Sequence, residues 1–155
     1  MDKQRIIPGF GWGVVATIAM SVLMLIGVAT GVSPMPKPIP AAIVGQFLGE
    51  GAPKPLIMVL AVMAHLGYGG FWGAVLALTA RPVTVWKGIA MGLFLWFLMG
   101  LFVLPALGWG LFGIGITPKI AIATLILHLI YGTTLGWLVD REFGSTAPVF
   151  HKRRA

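Results

Sequence analysis

Cysteine is absent from this 155-residue chain, which removes disulfides, zinc–thiolate sites, cysteine-ligated iron–sulfur clusters and thiol nucleophiles. The redox compartment therefore cannot be read from cysteine usage. Charge is scarce as well. Only 10% of residues are Asp, Glu, Lys or Arg, against roughly 25% in an average soluble domain. Four residues in total are acidic, and the apolar runs contain none of them. That leaves no intramembrane acid, no serine, histidine and carboxylate set, and no metal-ligand cluster, so an enzyme is not expected.

What the chain does have is apolar mass. Hydrophobic residues make up 58% of it and the mean hydropathy is +0.96, which excludes a water-soluble single-core protein. The net charge of +7 comes from cations that flank apolar runs, the distribution that fixes membrane orientation, so nucleic acid is not an expected partner. Four runs are long enough to cross ~30 Å of hydrocarbon as helices, at about 11–32, 56–79, 84–104 and 120–139. Breakers separate them: Ser33-Pro34-Met35-Pro36-Lys37-Pro38, Arg81-Pro82, Pro105 and Thr117-Pro118-Lys119. The expected fold is an all-α integral membrane protein, one transmembrane domain built from two helical hairpins.

Lys3, Arg5, Arg81, Lys87, Arg141, Lys152, Arg153 and Arg154 fall on one face of that arrangement, and Lys37, Lys54 and Lys119 on the other. The bias puts both termini in the cytoplasm of a prokaryotic inner membrane. The first run is longer than the apolar core of a typical secretory signal and is expected to be a retained helix. The basic tail, 141–155, ends in His151-Lys152-Arg153-Arg154, which suits anionic lipid headgroups as well as ordinary topology determination.

In the longer external loop, Ile39, Ala42, Ile43 and Phe47 recur at helical spacing. They predict a short amphipathic helix along the outer surface, with an apolar loop packed on the bundle end as the alternative. The other external loop carries Gly108-Trp109-Gly110-Leu111-Phe112-Gly113, formally GxGxxG. No strand precedes it, so the match is accidental, and Trp109 and Phe112 are expected as interfacial anchors.

The sharpest signal is an internal repeat. The second and fourth runs both read H-L-x-Y-G-x-x-x-G, from His65 through Tyr68, Gly69 and Gly73, and from His128 through Tyr131, Gly132 and Gly136, offset by 63 residues. The chain has two tyrosines and three histidines, and the motif takes both tyrosines and two of the histidines. Duplication of a hairpin accounts for this. Both copies run from outside to inside, so a two-fold axis would lie along the membrane normal. Each histidine sits on a ridge of small residues spaced by four, at an expected depth of ~14 to 17 Å below the outer surface. The glycine pairs Gly27/Gly31 and Gly88/Gly92 are expected to add close-packing surfaces.

Three readings of the histidine pair stay open. Each ring donates across a helix interface, to the other histidine, a tyrosine hydroxyl or a freed carbonyl, and so fixes register. Alternatively His65 and His128 hold the iron of a b-type haem, with Tyr68 and Tyr131 alongside and Gly69 and Gly132 leaving room for the macrocycle. A proton or small-solute pathway through the same layer is a third option. The tyrosine hydroxyls are expected to bond the histidine one turn away, the methionines to be core filler, and Thr17 and Ser21 to bond back to their own helix.

Residues 16–21 in the first run, Met35-Pro36 with Ile39-Pro40, the His65 turn, and His128-Leu129-Ile130-Tyr131-Gly132 with Gly136 together resemble a family of small four-helix prokaryotic membrane proteins. That family is common in haloarchaea, occurs in many bacteria, and is classed only as a domain of unknown function. The resemblance implies a four-helix integral membrane protein that accompanies respiratory or nitrogen-oxide redox systems, and it supplies no activity. The resulting expectation is a non-catalytic accessory or structural subunit of a larger membrane redox complex, respiratory or photosynthetic in type, with lipids and other membrane subunits or copies of itself as partners. A self-associating small-solute channel or transporter with a histidine constriction is the alternative.

Overall fold

The structure is a computed structural model that describes residues 3–49 and 51–144; the tail from 145 onward, including His151 to Arg154, lies outside the described residues. Among the described residues every regular element is helical. A short 3-10 turn, Lys3–Arg5, leads into α1 (Ile6–Ala29), followed by α2 (Ile39–Leu48), α3 (Lys54–Thr79) and α4 (Val85–Leu98). A π-helical turn, Met99–Val103, joins α4 to the single turn α5 (Leu104–Ala106), and α6 (Lys119–Phe143) completes the chain. Four stretches, Lys3–Ala29, Lys54–Thr79, Val85–Ala106 and Lys119–Phe143, are long and apolar enough to cross a membrane, consistent with a multi-pass membrane protein.

The helix ends follow local chemistry. Pro8 is tolerated in α1 because the first turn has no partner for its missing N–H, so the helix starts earlier than the apolar run alone suggests. Pro40 and Pro55 open α2 and α3 in the same way. Gly31, at φ +71°, follows the end of α1. The Thr84 side chain caps α4 by accepting from the Lys87 backbone N–H. The π turn lies just before Pro105, whose ring would clash with the Leu101 carbonyl in a regular helix; the wider turn accommodates it.

Helices pair through glycine. α1 packs along α3, where a β-carbon on Gly13 would strike the Gly69 carbonyl oxygen and one on Gly73 would strike that of Gly9. α4 packs along α6 in the same manner: β-carbons on Gly88 and Gly92 would strike the carbonyls of Gly132 and His128. Backbones this close maximise dispersion contact, the main attraction left between helices once both partners are as apolar as lipid. Gly27 and Gly31 make no such approach, because only Ser33 comes near the first and nothing meets the second. α1 also runs against α6, whereas α3 and α4 touch only sparingly. Arg5 gathers three helix ends: its guanidinium donates to the Ala77 carbonyl at 3.1 Å and lies 4.2 Å over the Phe143 ring.

The core is divided. One buried cluster, including Ala16, Leu76, Ala77, Val83, Leu135 and Val139, fills the bundle at the Arg5 end. A second, of Ala42, Met99, Leu104, Trp109 and Ile120, sits at the opposite end. Trp109 is therefore not an interfacial anchor; it is 7% exposed and packed beneath α2. Phe112 turns inward as well, tilted against the Trp96 ring and edge-on to Phe97, and fills the space left by Gly100. The turn that folds them in explains the glycines of the accidental nucleotide motif: Gly108, Gly110 and Gly113 all have φ near +76° to +77°, where a side chain is disfavoured. The outer faces carry exposed apolar residues such as Ile18, Val22, Val59, Phe94 and Ile122, as contact with lipid requires.

Candidate functional site: a cavity between the hairpins

Between the two core clusters lies a cavity of about 320 Å³, lined by residues from all four long helices, from α2 and from the loop before it. His65 and Tyr68 from α3 and His128 and Tyr131 from α6 all reach it, so the repeated motif converges on one space. Gly69 also borders the cavity; Gly132 does not, being covered by Gly88 and Gly92 of α4. The predicted short helix over 39–48 forms, but it does not lie apart from the bundle. α2 buries Ala41 and Ala42 and roofs the cavity with Ile39, Pro40, Ile43 and Val44, while Phe47 is 87% exposed.

The two histidines differ in their partners. His128 Nδ1 lies 2.8 Å from the Thr124 carbonyl oxygen. A carbonyl only accepts, so Nδ1 carries the proton, and in the neutral ring Nε2 is left as an acceptor. Thr124 is itself buried and held by the Ile120 carbonyl at 2.7 Å, and its hydroxyl lies 3.3 Å from the Trp96 indole nitrogen. His65 has no comparable support: its Nε2 is buried and has no hydrogen-bond partner. Leaving a buried polar group unpaired costs ~1 to 3 kcal/mol, so a bare His65 is a destabilising feature that packing alone does not explain.

The bond that crosses the bundle is made by a tyrosine rather than a histidine. Tyr131 Oη donates to the Gly69 carbonyl at 2.7 Å, joining α6 to α3, whereas the expected partner was the histidine one turn away. Tyr68 instead stands at the cavity's edge, 44% exposed, with its ring 6.2 Å from that of Trp72. Thr17 donates to the Gly13 carbonyl of its own helix at 2.8 Å, as expected.

Several lining residues carried no functional signal in the sequence. Met20, Met24, Met35 and Met99 all reach the cavity although they are scattered along the chain, and together they supply flexible, polarizable walls. The only pattern that could have brought them together is depth along antiparallel helices, which needs the helix registry to be known. Thr124 was legible as a ridge residue, but not as the support of His128. The lining contains neither Lys, Arg, Asp nor Glu. No group of three or more His, Asp or Glu able to hold a metal ion occurs among the described residues.

Comparison with protein-family models, with curated proteins and with solved structures finds no match to this chain.

Proposed function

We propose that the protein is a non-catalytic integral membrane subunit that holds a ligand between its hairpins and serves as an accessory component of a larger membrane redox complex. The observation that carries this reading is the convergence of both copies of the repeated motif on one apolar cavity, with one imidazole anchored and the other left free. Duplication of an ancestral hairpin accounts for the matching glycine interlocks of α1 with α3 and α4 with α6, which use Gly13, Gly69 and Gly73 in one and Gly88, Gly132 and Gly136 in the other. The cation bias favours a prokaryotic inner membrane with both termini in the cytoplasm, and α2 then roofs the cavity on the outer side. The resemblance to the uncharacterised four-helix prokaryotic family fits the same picture.

Haem b is the cofactor an imidazole pair suggests, and the donors suit it, since a backed His128 resembles an axial ligand held by its second nitrogen. The cradle does not suit it. A β-carbon on Gly69 would already strike Thr17 Oγ1, Gly132 is covered by α4, and no cation lines the cavity to meet propionates. The room expected from the glycine one turn beyond each histidine is occupied by a neighbouring helix. The channel alternative gains no support either, because the buried cluster around Leu76, Leu135 and Val139 closes the bundle between the cavity and the Arg5 end.

Blue-native electrophoresis of mildly solubilised membranes, followed by peptide mass spectrometry, tests the subunit reading. Co-migration with oxidase or reductase subunits is expected, and a lone chain or a pure homo-oligomer would overturn it. A reduced-minus-oxidised spectrum of the purified protein is expected to show no haem b band.

A further inference from the structure

On the footing that the cavity is a ligand site, we infer that its occupant is the ring head of a membrane quinone, which enters sideways from the bilayer between α3 and α4. Four observations carry this. The lining is almost wholly apolar and without formal charge, which suits a neutral, flat, lipophilic ring and excludes a carboxylate or phosphate head. The wall has a slot. α3 and α4 touch only sparingly, and Ala64 and Tyr68 of α3 border the cavity while remaining exposed.

The slot is framed at both ends. The Trp72 and Phe94 rings, 5.6 Å apart, join α3 to α4 toward the Arg5 end. At the other end α2 lies across, tied to α5 by the Gln46 side-chain amide, which donates to the Ala106 carbonyl at 3.1 Å. A ring could sit inside with its isoprenoid tail left in lipid. The fourth observation is the polar pair. His65 borders the cavity and keeps its Nε2 buried and unpaired in the wall, so a turn of the ring would present a donor to a quinone carbonyl, and His128, committed through Nδ1, offers Nε2 as an acceptor for a quinol hydroxyl. One donor and one acceptor at the same cavity match a ligand that exists in both a carbonyl and a hydroxyl form.

The test uses the full chain purified in dodecyl maltoside, with decylubiquinone and its quinol as probes. Chromatography and mass spectrometry would measure both the native quinone carried through purification and the decylubiquinone retained after washing. Retention well above that of an unrelated four-span protein in the same detergent is expected. His65→Leu should lower retention roughly tenfold, the worth of about one hydrogen bond, and His65→Gln, which restores an N–H donor, should recover most of it. Ala64→Phe, which narrows the slot, should slow probe exchange without loss of monodispersity. Wild-type retention no greater than the control, a haem b spectrum, or retention indifferent to His65→Leu in a monodisperse variant would each overturn the inference. Native electrophoresis separates the two proposals: quinone binding without a partner complex sinks only the accessory role, and a partner complex without quinone sinks only the ligand.

Discussion

The two hairpins use the same packing device and yet treat their histidines differently. In α4 and α6, His128 is held by Thr124, which is held in turn by Ile120 and Trp96, so the ring has a fixed tautomer and a fixed direction. In α3 the residue four before His65 is Ala61, whose backbone carbonyl takes no bond from the ring, and the ring's Nε2 finds no partner. The two hairpins therefore share their helix contacts, while only one copy of the polar motif has a bond to its own helix. A group kept buried at a cost, beside a group kept buried at a profit, separates the part of the repeat that builds the bundle from the part available to a ligand.

The largest expected effect tests what the hairpins share. Gly73→Leu and Gly136→Leu should each abolish the folded, monodisperse state, because each side chain would enter the backbone of the facing helix, beyond the ~1 to 3 kcal/mol typical of overpacking. Size-exclusion profiles and thermal melts in detergent read this out, and a tolerated substitution in either hairpin would break the equivalence. Next comes the contrast in sign between the histidines. His128→Leu should destabilise by about 1 kcal/mol through loss of the Thr124 bond, whereas His65→Leu should be neutral or stabilising by a similar amount in ligand-free protein. Equal losses from both would erase the distinction.

The tyrosines give a contrast of the same kind. Tyr131→Phe removes the only tyrosine hydrogen bond between the hairpins and should cost ~0.6 to 2 kcal/mol in a detergent or steric-trap unfolding assay, while Tyr68→Phe should cost nothing measurable. A small change of opposite sign is expected at Gly67, which faces open space. Gly67→Ala should raise stability by up to ~1 kcal/mol through helix propensity alone, the opposite of any substitution on the interlocked ridges.

Much of this architecture was legible because lipid imposes simple rules. Apolar length sets the spans, proline sets their ends, and the spacing of Ile39, Ile43 and Phe47 sets α2. The repeat was legible because a polar motif stands out against an apolar background. What escaped was whatever depends on rotation and registry. Trp109 and Phe112 looked like anchors because aromatic residues in loops usually are, but three positive-φ glycines fold that loop back into the core. The π turn arises where the Pro105 ring meets the preceding turn, and hydropathy does not report that. The motif glycines were read both as a ridge for close helix approach and as space for a cofactor, and the facing backbones take up that space.

The grip of Arg5 on both Ala77 and Phe143 bears on how the chain is assembled as it leaves the ribosome. The first hairpin can close on itself and satisfy the guanidinium's hydrogen bond while the second is still being synthesised. The aromatic face above that guanidinium stays vacant until the last turn of the final helix arrives, so docking of Phe143 reports that all four helices have been delivered in order.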